Sequence, residues 1–229
     1  RKFKNISHII VDSYSVDRTL AIAEKHDLKV IYCPPGNIYK AINMGIRSTN
    51  DDWITYINSD DLLDINLADE ILLLDKEVDI FSGSIEIIDI INNIKYISKC
   101  LPKKLFHTSY KVGGMPIPQS GTIFSRKIFN NLNGFDTSYK YAADYDFFSR
   151  AFLKNVKYKI SKSKVAAIRI HKKQLSNRFK FHHSEEIRSI RKKLFKNQKF
   201  HLLQKLFYKI FAHLNRSPID RIRKIFKIS

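Results

Sequence analysis

The acids in this 229-residue chain that could do chemistry sit where apolar runs end. Trp53-Ile54-Thr55-Tyr56-Ile57 runs into Asn58-Ser59-Asp60-Asp61, and His8-Ile9-Ile10-Val11 runs into Asp12. Adjacent carboxylates are hard oxygen ligands, suited to a divalent cation that also coordinates a phosphate-bearing ligand. Asp144 opens a helix-like segment elsewhere in the chain. It can serve as a general base if the fold brings it to a substrate hydroxyl. Each residue also has a plain structural role open to it. Asp60-Asp61 suits a solvated turn capping a following helix, and Asp144 suits the positive end of a helix dipole. Asp12 suits a turn, and His171 lies among lysines as an ordinary surface histidine would.

The elements that must position these acids are legible as alternating strand and helix patterns. His8–Val11 and Leu28–Tyr32 read as short strands separated by a helix near Thr19–His26. Ile38, Ala41, Ile42, Gly45 and Ile46 recur at helical spacing, and Trp53–Ile57 reads as a third strand. This β-α-β-α-β order with short connections predicts parallel strands joined by right-handed crossovers. Ligands of such sheets lie beyond the carboxyl ends of the strands, which puts Asp12 and Asp60-Asp61 on one edge.

Farther along, Val78–Ser98 reads as β-rich with a hairpin turn at Asn92-Asn93. Lys99–Pro118, with Gly113-Gly114 and prolines, reads as loop. A strand at Gly121–Phe124 and a short helix at Arg126–Asn131 follow, closed by Asn133-Gly134 with Gly134 as a left-handed cap. Ala143–Leu153 reads as a helix.

Composition supports a packed fold: 44% of residues are hydrophobic and 12% aromatic. The apolar runs are too short to span a bilayer. The chain starts at Arg1, and nothing there has the make-up of a signal peptide. Cys33 and Cys100 form no metal or disulfide spacing and read as two reduced thiols of a cytosolic protein. The formal net charge of +19 is uneven: from Lys162 onward there are 20 Lys/Arg against 3 Asp/Glu. From Ser184 the pattern is amphipathic and basic, with Leu203, Phe207, Ile210 and Leu214 on one helical face. Three readings stay open for this segment: a solvated helical face, an anionic membrane surface, or nucleic acid. Its aromatic spacing fits no nucleic-acid-binding module, so no nucleic acid is expected.

Several stretches resemble inverting family 2 glycosyltransferases of bacterial surface polysaccharide synthesis. His8-Ile9-Ile10-Val11-Asp12-Ser13-Tyr14-Ser15-Val16-Asp17-Arg18-Thr19 is similar to the family's IIVDGGSTDGT. Asn37-Ile38-Tyr39-Lys40-Ala41-Ile42-Asn43-Met44-Gly45-Ile46 resembles GIYDAMNKGI, and Asp52–Asp61 resembles GDWIxFLNSDD. Pro116-Ile117-Pro118-Gln119 resembles PIPHQ. Asn133-Gly134-Phe135-Asp136 and Ala142-Ala143-Asp144-Tyr145-Asp146-Phe147 resemble GGFDE and AADYDL, and Arg169–Ser176 resembles RxHxxxxS. Each match is weak alone, but together they keep the family's order.

The resemblance implies a GT-A fold: α/β, Rossmann-like, with a mostly parallel sheet and helices on both faces. It implies transfer of a sugar, such as a hexose from UDP, to a saccharide or lipid-linked acceptor with inversion. Asp144 would be the catalytic base, Asp61 and His171 ligands of Mg2+ or Mn2+, and Asp12, Ser13 and Asp60 contacts to the nucleotide-sugar. The implied place is the cytoplasmic face of a membrane, with the basic tail on anionic lipid. The expected domains are a transferase domain over 1–176, without counterparts of the family's first strand and helix, and a basic helical extension over 177–229. Departures are specific: Ser13-Tyr14, Arg18 and Asn37 replace family glycines, and Gln119 replaces a histidine. Two rival readings follow: a non-catalytic relative kept for assembly or binding, and a basic nucleic-acid-binding protein.

Overall fold

The computed structural model describes residues 6–171 and 179–196 together with Leu206 and Ile210. Strand β1 (Ile9–Asp12) and strand β2 (Lys29–Tyr32) pair in parallel, joined through helix α1 (Thr19–Lys25). Helix α2 (Ile38–Arg47) packs on β1. Gly45 permits this approach, since a Cβ there would meet a Val11 methyl at 2.9 Å. These elements fall where the sequence patterns put them.

The third strand behaves differently. β3 (Trp53–Ile54) does not extend the β1–β2 pair; it runs antiparallel to β7 (Thr122–Ser125) in a second sheet. That sheet has the order β3-β7-β5-β8-β4, with β6 added on β5. Here β4 is Leu62–Leu63, β5 Ile80–Asp89, β6 Ile94–Ser98 and β8 Tyr158–Ile170. Among the described residues, four of the six strand pairings are antiparallel. The expected α/β class holds, but the expectation of a mostly parallel sheet is corrected to a mixed one. The reason is physical: alternating strands and helices fix the direction of each crossover, not which neighbour a strand pairs with. The later strands arrive by hairpin and by return.

β5 is the spine of the second sheet. Ile80 and Phe81 are fully buried, and β8 runs parallel beside β5 nearly to the end of both. The Asn92-Asn93 hairpin forms as expected, with Asn93 at φ 52°. The segment expected as loop holds a helix, α4 (Phe106–Val112), whose Phe106 and Tyr110 are buried before Gly113 closes it at φ 89°. Helix α3 (Asn66–Leu72) follows β4; α5 (Arg126–Asn131) and α6 (Ala143–Leu153) follow β7. The main core is aromatic, with Phe135 and Phe147 stacked at 4.5 Å and Phe124 tilted against Phe147 at 5.0 Å.

Helix α7 (Lys180–Phe195) lies in the segment expected as an extension, and it packs into the main core. Its Ile190 is fully buried and Phe195 nearly so. Of the apolar stripe expected farther on, Leu203, Phe207 and Leu214 lie outside the described residues. Ile210 is helical and exposed. No described helix is long and apolar enough to cross a membrane.

Candidate functional site

Asp12 closes β1, buried, with its carboxylate accepting from the Ser15 amide at 2.9 Å and from the Ser15 hydroxyl. The Ser15 hydroxyl, then the Ser15 amide, hold Asp12 below the usual carboxylate range. Ser13 is exposed beside it. Of the four positions where glycine is replaced, only Tyr14 needs left-handed backbone, at φ 61°. Asn37 is extended at φ −150° and caps α2, its side chain accepting from the Tyr39 amide. Arg18 has an ordinary φ of −77°. The Tyr14 ring stacks on Tyr32 at 5.8 Å, 13° from parallel, and both rings are exposed. Tyr32 ends β2 opposite Asp12, so acid and aromatic pair share one strand edge.

The Asp60-Asp61 turn is set by its pairing with β8. Leu62 pairs with Ala167 in antiparallel register, which brings the two acids alongside the end of β8. There the Arg169 amide donates to Asp61 Oδ1 at 3.3 Å, and a His171 ring nitrogen lies 2.8 Å from Asp60 Oδ2. Asp61 is buried, and its other partners are neutral: the Asn58 amide at 3.3 Å and the Ser120 hydroxyl at 3.4 Å. Burial, and after it the Asp60 charge, raise the Asp61 carboxyl above its ordinary range. Gln119 also belongs to this cluster, its side-chain amide donating to the Tyr56 carbonyl at 2.8 Å. The residue that departs from the family pattern therefore braces the segment between β3 and the acids.

Asp144 lies in the first turn of α6, partly buried. The Tyr39 hydroxyl at 3.0 Å and the Tyr145 amide at 2.8 Å both donate to its Oδ1. Burial raises the Asp144 carboxyl. The phenols of Tyr39 and Tyr56 are pushed far up, first by their own burial and then by the Asp144 charge. Tyr56 thus connects the two acidic regions: its carbonyl is braced by Gln119 on the Asp61 side, and its ring packs edge-on at 5.4 Å against Phe135, which stacks on Tyr39, the donor to Asp144. Asp146 has a different role. It is buried, ion-paired with Arg150 at 2.6 Å, and Arg150 also donates to the Leu132 and Gly134 carbonyls. Sequence reasoning missed Tyr39 and Tyr56 as site residues. Both sit inside motifs already noticed, but neither gives a signal of its role without three-dimensional placement.

A divalent ion is compatible with these residues. Asp61 is a buried carboxylate beside a second carboxylate, and its described hydrogen-bond partners are all neutral. That arrangement gains from a cation. Among the described residues no three His, Cys, Asp or Glu side chains form a metal cage. Such a site suits an ion held by one or two carboxylates with the rest of its shell from water and substrate phosphates.

Residues 1–132 match the family model for Glycosyl transferase family 2. Curated protein sequences gave no match. Among solved structures, the chain is similar to S. aureus TarS in complex with UDP, at 16% identity and TM-score 0.59. That alignment covers 86% of this chain and 58% of the TarS 1-349 chain, so the chain spans less than two thirds of that relative. It is also similar to the mannosyltransferase PcManGT from Pyrobaculum calidifontis, solved with GDP-Man and Mn2+. Identity is 16% and TM-score 0.57, covering 90% of this chain and 60% of the other. Glucosyl-3-phosphoglycerate synthase from Mycobacterium tuberculosis, solved with Mn2+, UDP and its product, matches at 15% identity and TM-score 0.54. The coverage is 83% of this chain and 69% of that one. At such identities the likeness speaks for the fold, which is GT-A. The family match takes in Asp12, Asp60 and Asp61 and more than half of the sequence, and the chain belongs to glycosyl transferase family 2.

Proposed function

We propose that this protein transfers a sugar, a UDP-hexose being the expected donor, to a saccharide or lipid-linked acceptor with inversion at the anomeric carbon. The observation that carries this reading is the connection of two acidic regions through Tyr56: buried Asp61 with Asp60 on one side, reached through Gln119 and Ser120, and Asp144 on the other, reached through Phe135 and Tyr39. Each is suited to one half of a displacement. Asp144, ionised and oriented through Oδ1 by Tyr39 and Tyr145, would take the acceptor's proton on Oδ2. Asp61, with His171 at the neighbouring Asp60, would hold Mg2+ or Mn2+. When bound, such an ion supplies positive charge to the departing diphosphate. Asp12, Ser13 and Asp60 would contact the nucleotide-sugar, with the Tyr14–Tyr32 pair as an aromatic edge for the base.

In this reading residues 1–176 form the transferase body and 177–229 a basic extension whose first helix, α7, packs back on the body. The extension would rest on an anionic membrane surface, at the cytoplasmic face of bacterial cells making surface polysaccharide. A reading in which the fold binds a ligand without catalysis draws on one observation, Tyr14 occupying a glycine's left-handed position beside Asp12.

Donor binding tests the proposal. Titration of the full chain with UDP-sugars should show saturable binding that strengthens when Mn2+ is added. In Asp61→Ala the strengthening should vanish while the chain stays folded. Binding indifferent to Mn2+ in the unsubstituted protein would remove Asp61 from its role.

A further inference from the structure

The carboxylate of Glu186, on α7, lies outside the residues that match the family. It accepts three backbone N–H groups in a row: Lys140 at 2.9 Å on Oε1, and Tyr141 at 2.8 Å and Ala142 at 2.9 Å on Oε2. These three residues lead directly into α6, whose first turn carries Asp144. The need for an outside acceptor is local. Lys140 and Tyr141 precede α6 and Ala142 is its N-cap, so none of the three N–H groups has an acceptor within the helix. A carboxylate satisfies them with charge-assisted bonds, stronger than neutral ones.

Glu186 itself is held from both ends of α7. Ile190 and Phe195 are buried in the core, and the Arg191 guanidinium donates to the Lys111 carbonyl at 2.7 Å near the end of α4. Gly113, just past that end, leaves room for Ile187, a methyl of which would lie 3.0 Å from any Cβ added there. On the N-terminal side, Phe179 and His182 pack on the Tyr141 ring at 5.1 and 5.7 Å. The helix is thus a rigid strut, and Glu186 is where it meets the approach to Asp144.

We propose that Glu186 is a positioning residue for Asp144: it fixes the Lys140–Ala142 segment and so sets the direction in which α6 presents its first-turn acid. This rests on the reading of Asp144 as the base. In that reading the α7 helix, appended beyond the matched residues, is a working part of the transfer site.

The experiment compares full-length Glu186→Ala and Glu186→Gln with the unsubstituted chain by hydrogen exchange and by sugar-transfer kinetics. Gln keeps one carbonyl oxygen, able to accept the paired Tyr141 and Ala142 amides, but turns an N–H2 toward Lys140. Amide exchange in peptides spanning 140–146 should speed up at least tenfold in Glu186→Ala and less in Glu186→Gln, with exchange in β5 unchanged. The kcat should fall at least tenfold in Glu186→Ala and partly recover in Glu186→Gln, while the donor Kd stays within twofold. Unchanged exchange at 140–146 would overturn the proposal. So would a loss in which kcat, donor affinity and β5 protection fall together, because that is general unfolding. If the unsubstituted chain transfers no sugar, or Asp144→Asn transfers it normally, the base assignment fails instead, and the exchange data alone decide whether Glu186 holds the segment.

Discussion

At Asp144, hydrogen bonding and burial pull in opposite directions, and the balance makes a prediction. Tyr39 and Tyr145 both donate to Oδ1, which favours the ionised form, yet burial is the larger influence and raises the carboxyl. A base must be ionised, so kcat/KM should fall on the acid side through a midpoint above the ordinary aspartate range. Stability runs the other way. The folded state binds this proton more tightly than the unfolded chain does. Its contribution is therefore full below the unfolded pKa and lost as pH rises through the raised one. Asn at this position keeps an Oδ1 to accept both donors and carries no charge to bury. Asp144→Asn should therefore lose transfer by roughly 10²–10⁴-fold while its thermal midpoint at neutral pH is no lower than that of the unsubstituted chain. A clear drop in that midpoint would mean the ionised carboxylate supports the fold. Asp12, Asp60 and Asp61 were legible in the sequence because they follow apolar runs, and Asp144 because it opens a helix-like segment. Their setting was not: the Tyr39 hydroxyl reaches Asp144 across 105 positions, and Arg169 reaches Asp61 across 108.

At the level of elements, local patterns carried as far as local physics does. α1, α2, α5 and α6 fall close to where periodicity and the Asn133-Gly134 stop put them. α4 was hidden because glycines and prolines crowd around it, although Phe106 and Tyr110 bury one face. β8 was hidden for another reason. Its Lys-Ser-Lys run reads as solvated, while its stability comes from long-range pairing with β5 and β4 that no local window contains. Packing of α7 yields a prediction here. Ile190 is fully buried between α7 and the core, so Ile190→Ala should cost about 2–5 kcal/mol in a denaturant melt. A cost near zero would mean the helix is not docked in solution. Gly134 gives a second. It sits at φ 72°, and a Cβ there would come within 2.8 Å of Asn43 Oδ1, whose residue bonds Phe135 from both its amide and its oxygen. Gly134→Ala should destabilise by about 1–3 kcal/mol in the same melt, from strain and crowding together.

For the whole molecule, the charge distribution is the feature a single fold does not demand. The proposed contact of the extension with an anionic surface rests on a formal charge of +19, with 20 Lys/Arg against 3 Asp/Glu from Lys162 onward. The full chain should co-sediment with vesicles containing anionic lipid. The bound fraction should drop as salt rises from about 0.05 to 0.5 M, where screening shortens to a few ångströms. Binding that ignores salt and lipid charge would leave the basic face merely solvated. The most direct test of the central claim, that separate acids serve one transfer, is sugar transfer itself across a panel of nucleotide-sugars with Mn2+. It compares the full chain with Asp61→Ala and Asp144→Asn. The account predicts turnover with at least one donor, lost in both variants although both remain folded. Turnover at the unsubstituted rate in either variant would contradict it.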